Sequence, residues 1–198
     1  MTFLKTLALS VALPILATAS AGASVFNLIG NQTTVSVTAD LAGLGLTPGT
    51  IGTATADGAD FSFGITGGQV DLGTGDALIA HDGSGVSLTD GTSTATVGDF
   101  FIDTAAGTIT GTLNGTVRDV EFFTLGTTTT EGIQVLISQT LGGALTQVFG
   151  APDLAGAQFG FANVDLALAP TPVPLPAGAP LLIAGLAAFA WLRRRQSV

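Results

Sequence analysis

Between residues 24 and 169, short apolar runs alternate with threonine and serine and are then cut by glycine or aspartate. That punctuation constrains the fold more than any other feature. It leaves little room for an amphipathic helix and specifies short strands joined by turns. Residues 34–38 read Thr-Val-Ser-Val-Thr, and residues 60–66 read Asp-Phe-Ser-Phe-Gly-Ile-Thr, with Phe61, Phe63 and Ile65 on one face. Glycine is abundant (28 of 198 residues), phenylalanine is the main aromatic (12), tyrosine is absent and only 10% of residues are charged. All of this suits an all-β domain rich in turns.

The expected strands are residues 25–29, 32–38, 50–56, 60–66, 69–72, 77–81, 86–88, 95–102, 108–113, 116–125, 133–137 and 158–168, some of them too short to count separately. Residues 41–48 read as an apolar loop or single turn, 50–56 with 60–66 as a hairpin, and 95–102 with 108–113 as another turning at Gly107 in the left-handed conformation. Leu141, Leu145, Val148 and Phe149 fall at helical spacing, with Ser138 as a cap and Gly150 as a stop, so one short helix is expected there. The fold class predicted is a β-sandwich or related two-sheet fold of roughly nine or ten strands with at most one short helix. A parallel β-solenoid is the second choice, although no fixed period supports it. The segment is long enough to bury its own core.

Two terminal segments frame this domain. Met1 to Lys5 is weakly basic, residues 7–17 are apolar, and small residues end in Ala21-Gly22-Ala23. That order predicts a signal peptide over residues 1–23, cleaved before Ser24, with cleavage after Ala21 as the nearby alternative. At the other end, prolines punctuate residues 170–176. Residues 177–192 then carry no charge, and Arg193, Arg194 and Arg195 open a basic tail over residues 193–198. A helix of that length rises roughly 24 Å, marginal against a ~30 Å hydrocarbon core. Arginines after an apolar run stay on the cytoplasmic side, and Trp191 stands where an interfacial aromatic belongs. A transmembrane helix with an exported bulk is the expectation.

Val173-Pro174-Leu175-Pro176-Ala177, the short apolar run and the terminal arginines together resemble the VPLPA-type C-terminal sorting signal of the PEP-CTERM class of Gram-negative exported proteins. The resemblance covers the last twenty-six residues and has all three parts in order. It implies that the chain is a substrate of exosortase, a membrane-embedded cysteine protease-transpeptidase. Exosortase cleaves near the motif and delivers the passenger to the cell surface or matrix, often alongside extracellular polysaccharide. The prolines agree with this, since they hold the motif extended.

Charge and chemistry bound the passenger. Residues 24–169 hold one arginine, Arg118, against all fourteen acids, a net −13. Such a surface repels nucleic acid and anionic lipid. The absence of cysteine excludes disulfides, thiol catalysis and cysteine metal sites. His81, the only histidine, lies in Ile79-Ala80-His81-Asp82-Gly83-Ser84-Gly85 and reads as the end of a strand entering a glycine-rich turn. Its functional alternatives are a general base, an axial haem ligand or a metal ligand. Ser84 lacks the flanking glycines of a nucleophile elbow, since Asp82 and Val86 stand at those positions. No catalytic residue is assigned, and no enzyme activity is expected.

Asp71, Asp76 and Asp82, with Asp90, Asp99 and Asp103 beyond them, are candidate ligands for calcium and, through it, for a glycan at the cell surface. Turn capping by their own side chains is the favoured explanation. Asp119 and Glu121 stand two apart, and as strand acids they are expected to face solvent. Two sequons, at Asn31 and Asn114, match an acceptor pattern without a compartment that would use it. The runs Phe63 to Gly68, Ile79 to Leu88, Phe101-Ile102-Asp103 and Glu121-Phe122-Phe123 also resemble the strand pattern of HtaA-type β domains, some of which bind haem at bacterial surfaces. Haem ligation in that family leans on Tyr and His. A chain with no tyrosine and one histidine matches the strand pattern better than the ligand set.

Overall fold

A computed structural model describes residues 25–170. The signal peptide with Ala21, Ala23 and Ser24, the sorting motif Val173–Ala177, Trp191 and Arg193–Arg195 lie outside the described residues. The chain runs β1 (Val25–Val37), β2 (Thr47–Gly52), β3 (Thr55–Asp57), β4 (Asp60–Gly64), β5 (Gly67–Asp71), β6 (Ala77–Thr89), β7 (Thr94–Asp103), β8 (Thr108–Leu113), β9 (Val117–Thr129), β10 (Gly132–Ile137), α1 (Gln139–Phe149) and β11 (Gln158–Leu168). The domain is mostly strand with one short helix, as the punctuation and periodicity predict.

All eleven strands belong to one antiparallel sheet. Its order β11-β10-β9-β8-β7-β6-β5-β1 returns on itself, because β11 also pairs with β1 from Leu28↔Leu168 to Val37↔Gly160. The hydrogen bonds therefore close a circuit, whereas the expectation was of two sheets. The closing partners lie some 130 residues apart in sequence, beyond the reach of any local pattern. Closure gives each strand of the circuit a neighbour on both sides, so that free edges remain at β2 and β3, which lie off it.

On one side the circuit is split. The first residues of β1, Val25–Asn27, pair with β5, while Gln32–Ser36 pair with β4, which is backed by β3. β2 leaves this region and pairs instead with the second half of β6, from Thr47↔Thr89 to Gly52↔Ser84. The expected 50–56/60–66 hairpin is thus reduced to the short β3–β4 ladder. A Cβ on Gly52 would strike the Gly83 carbonyl, so that crossing requires glycine.

The long strands bend through bulges, and these account for the remaining differences. Gly30 (φ 147°) and Asn31 (φ 76°) keep the two strands expected at 25–29 and 32–38 as a single bulged β1. Residues 82–85, expected as a turn, are a bulge inside β6, where the pairing with β7 shifts between His81 and Gly85. Glycine and aspartate mark tight turns and bulges alike, so sequence punctuation cannot separate the two. In β9 a shift between Ile109↔Phe123 and Thr110↔Glu121 leaves Phe122 unpaired, and both Phe122 and Phe123 are buried.

α1 follows its sequence signals closely. The Ser138 hydroxyl accepts from Leu141 N at 3.1 Å, and Gly150 ends the helix at φ 68° with its N–H on the Thr146 carbonyl. Ser138 also donates to the Glu121 carbonyl at 2.7 Å, fixing the start of α1 to β9. Leu141 and Leu145 are buried, each stabilising the packed state by roughly 1.5–3 kcal/mol. The register places α1 and the loop 39–46 at the end of the sheet where Val37 meets Gly160. The start of β1 at Val25 and the end of β11 at Leu168 lie at the opposite end. Among the described residues, no helix is long and apolar enough to cross a membrane.

Candidate functional site: a chamber inside the closed sheet

The closed sheet encloses a chamber of about 450 Å³. Thr33, Val35 and Val37 line it from β1, Phe61 and Phe63 from β4, and His81, Val86 and Leu88 from β6. Val97, Phe100 and Ile102 of β7, Val135 and Ile137 of β10 and Phe159 of β11 complete the wall. At one end Leu41, Leu44 and Leu46 of the 39–46 loop and Leu141, Ala144, Leu145 and Val148 of α1 cover it. Alternation along each strand produces this lining, since apolar residues two apart point inward together. The volume falls within the ~300–1,000 Å³ typical of small-molecule sites.

One polar pair lies in this wall. His81 and Thr33 are each only 1% exposed. The imidazole Nδ1 lies 3.0 Å from the Gly64 carbonyl and Nε2 lies 3.1 Å from the Thr33 hydroxyl. A carbonyl can only accept, so Nδ1 carries the proton and Nε2 accepts from Thr33 Oγ1–H. Burial pushes the His81 pKa below its ordinary value, against the smaller opposing effects of the Gly64 carbonyl and the Asp82 charge. The ring is therefore neutral at pH 7.

This arrangement joins three strands. β4 and β6 are not hydrogen-bonded neighbours in the sheet, and the imidazole connects them across the split while reaching Thr33 on β1. His81 thus sits within β6, not at the end of a strand as the sequence suggested. Its ring heads an edge-to-face row, with Phe63 at 6.3 Å, Phe63 to Phe100 at 5.3 Å and Phe100 to Phe122 at 6.3 Å. Ser84 donates to the His81 carbonyl at 3.0 Å, so its hydroxyl is directed at backbone and not at the imidazole.

The aspartates bond mainly to backbone N–H groups. Asp71 accepts from Gly73 N at 2.8 Å in the β5–β6 turn, where Asp76 N donates to the Thr74 hydroxyl at 3.2 Å. Asp82 sits on β6 and accepts from the Thr66 hydroxyl at 3.2 Å. Asp90 accepts from Ser93 N and Thr92 N at 2.6 and 2.7 Å, and these bonds hold its carboxyl below the usual carboxylate range. Asp99 and Asp103 cap Gly83 N and Ala106 N. Among the described residues, no group of three or more His, Asp or Glu side chains is arranged to hold a metal ion. Asp119 (φ 57°) is a bulge residue, and both it and Glu121 are exposed.

Thr33 escaped the sequence reading, although its parity with Val35 and Val37 on a period-two strand placed it on the inner face. The chamber itself had no local signal, because it depends on the β1–β11 closure. No family model, curated protein or solved structure matches this chain.

Proposed function

We propose that this chain is an exported, non-enzymatic binding protein: a β domain that holds a small molecule in its chamber, carried to the cell surface or matrix by a removable C-terminal address. The chamber carries the binding half of this reading. A domain serving only as a scaffold gains by filling its interior, since each unfilled volume forfeits packing. Here 28 apolar side chains from the wall and the cover converge on unfilled space.

The address half rests on the sequence. The Val173–Ala177 motif, the uncharged run 177–192 and Arg193–Arg195 stand in the order that exosortase substrates show. The fold suits such a tether, because Leu168 leads into the tail from the end opposite α1 and the 39–46 cover. A membrane-held passenger would present its covered end outward. Extracellular polysaccharide is the expected neighbour after release.

Haem is the less favoured occupant. Both His81 ring nitrogens are already hydrogen-bonded, and the lining has no arginine or lysine to meet two propionates. Intact-mass measurement of the exported form tests the address: the mature chain lacks Arg193–Arg195, and the whole tail still attached would defeat sorting. Haem added to the purified protein is expected to produce no absorbance change that His81→Ala removes. Such a change would restore the haem reading.

A further inference from the structure

We infer that the chamber takes a neutral, largely apolar molecule bearing a hydroxyl or similar hydrogen-bond donor, an alcohol rather than an acid. This rests on the binding reading above. The first observation is charge. The one charged side chain on the lining is Asp40, an exposed acid on the covering loop that already accepts from Gly43 N at 2.8 Å. Arg118, the one basic residue described, is not on the lining. An anionic head group entering the chamber would lose its hydration with no cation to replace it, and Asp40 would repel it at the rim.

The second observation is the direction of the buried hydrogen bonds. The only His81 N–H is spent on the Gly64 carbonyl, and the Nε2 lone pair is occupied by the Thr33 O–H. What remains unspent is acceptor capacity on Thr33 Oγ1. A ligand O–H or N–H can donate there; a carboxylate, which only accepts, finds nothing beside Thr33 and His81 to accept from. Of the other polar lining groups, Gln158 is bonded through both its amide oxygen and its amide nitrogen, and Asn114 keeps a free amide N–H only at the exposed margin, away from the buried pair. Charge and bond direction thus select the same ligand chemistry independently.

The experiment uses the exported protein and the neutral fluorophore N-phenyl-1-naphthylamine, with 1-hexadecanol, hexadecanoate and hexadecane as competitors at pH 7.5. The expected result is saturable uptake of one fluorophore per chain, displaced by hexadecanol at least about tenfold more effectively than by hexadecanoate, a difference of ~1.4 kcal/mol. Val97→Phe, which fills the chamber from β7, removes the displaceable uptake and leaves the melting temperature unchanged or higher. Thr33→Val erases the preference for hexadecanol over hexadecane. Hexadecanoate competing as well as hexadecanol overturns the ligand class and leaves the binding module standing. Uptake unchanged in Val97→Phe assigns the fluorophore to another surface and overturns the chamber as its site. No saturable uptake at all removes the binding reading together with this inference.

Discussion

The interior of the closed sheet and the acid-bearing turns around it use polar groups in opposite ways. Inside, one polar pair, His81 and Thr33, joins three strands from within an apolar wall and leaves an acceptor facing the chamber. Outside, Asp71, Asp90 and Asp103 fold back onto their own turns, and Asp99 caps the β6 bulge at Gly83 N. Carboxylate number here follows the demand of turns and bulges for backbone acceptors. The scarce buried polar atoms have the restricted surroundings that make recognition selective, whereas the plentiful exposed ones shape the backbone.

The largest expected effect that sharpens this contrast is on stability. Phe122 is 1% exposed at the end of the aromatic row, and Phe122→Ala should cost about 3–5 kcal/mol in chemical denaturation. Phe101, the second phenylalanine of the similar Asp99-Phe100-Phe101 segment of β7 and so the counterpart of buried Phe123, is 40% exposed, and its replacement by alanine should cost under about 1 kcal/mol. Equal losses would show that the bulge at Phe122 does not distinguish the two segments.

A smaller effect concerns pH. The folded His81 has a lowered pKa, so the unfolded chain binds a proton more readily. Stability should be level above the unfolded value near ~6.5 and fall as pH drops below it, levelling off beneath the folded pKa. His81 is the only histidine, and ordinary carboxylates titrate lower, so melting temperatures between pH 7.5 and 5 isolate it. His81→Gln should flatten that slope. A slope that persists in the variant, or rises toward acid, contradicts the buried neutral imidazole.

The smallest effect is expected at the turns. Asn retains the side-chain acceptor of Asp, so the double replacement Asp71→Asn with Asp76→Asn should change stability by less than about 0.5 kcal/mol. Calcium should not shift the melting temperature of either form. A calcium-dependent rise lost in the double variant would break the comparison and make the turns a metal site.

What the sequence disclosed follows the range of each interaction. α1 was legible from its Ser138 cap, its apolar spacing and the Gly150 stop, all of which act within a few residues. The β7–β8 hairpin was legible from Gly107, which adopts φ 70°. The glycine-rich stretch after His81 misled, because a bulge and a turn require the same backbone freedom. β2 was assigned to a neighbouring strand when its partner was the second half of β6. The chamber was illegible, since β1 closes on β11 across nearly the whole domain. Thr33 was within reach of the period-two rule, but nothing local connected it with His81, forty-eight residues away.

We propose that the domain is exported and carries a neutral apolar molecule in its chamber. Native mass spectrometry of the exported protein, recovered from producing cells and then incubated with 1-hexadecanol, tests it most directly. The expected result is a chain lacking Arg193–Arg195 with one non-covalent neutral adduct, absent from Val97→Phe. A chain that takes up no adduct, or one that Val97→Phe retains in full, would contradict it.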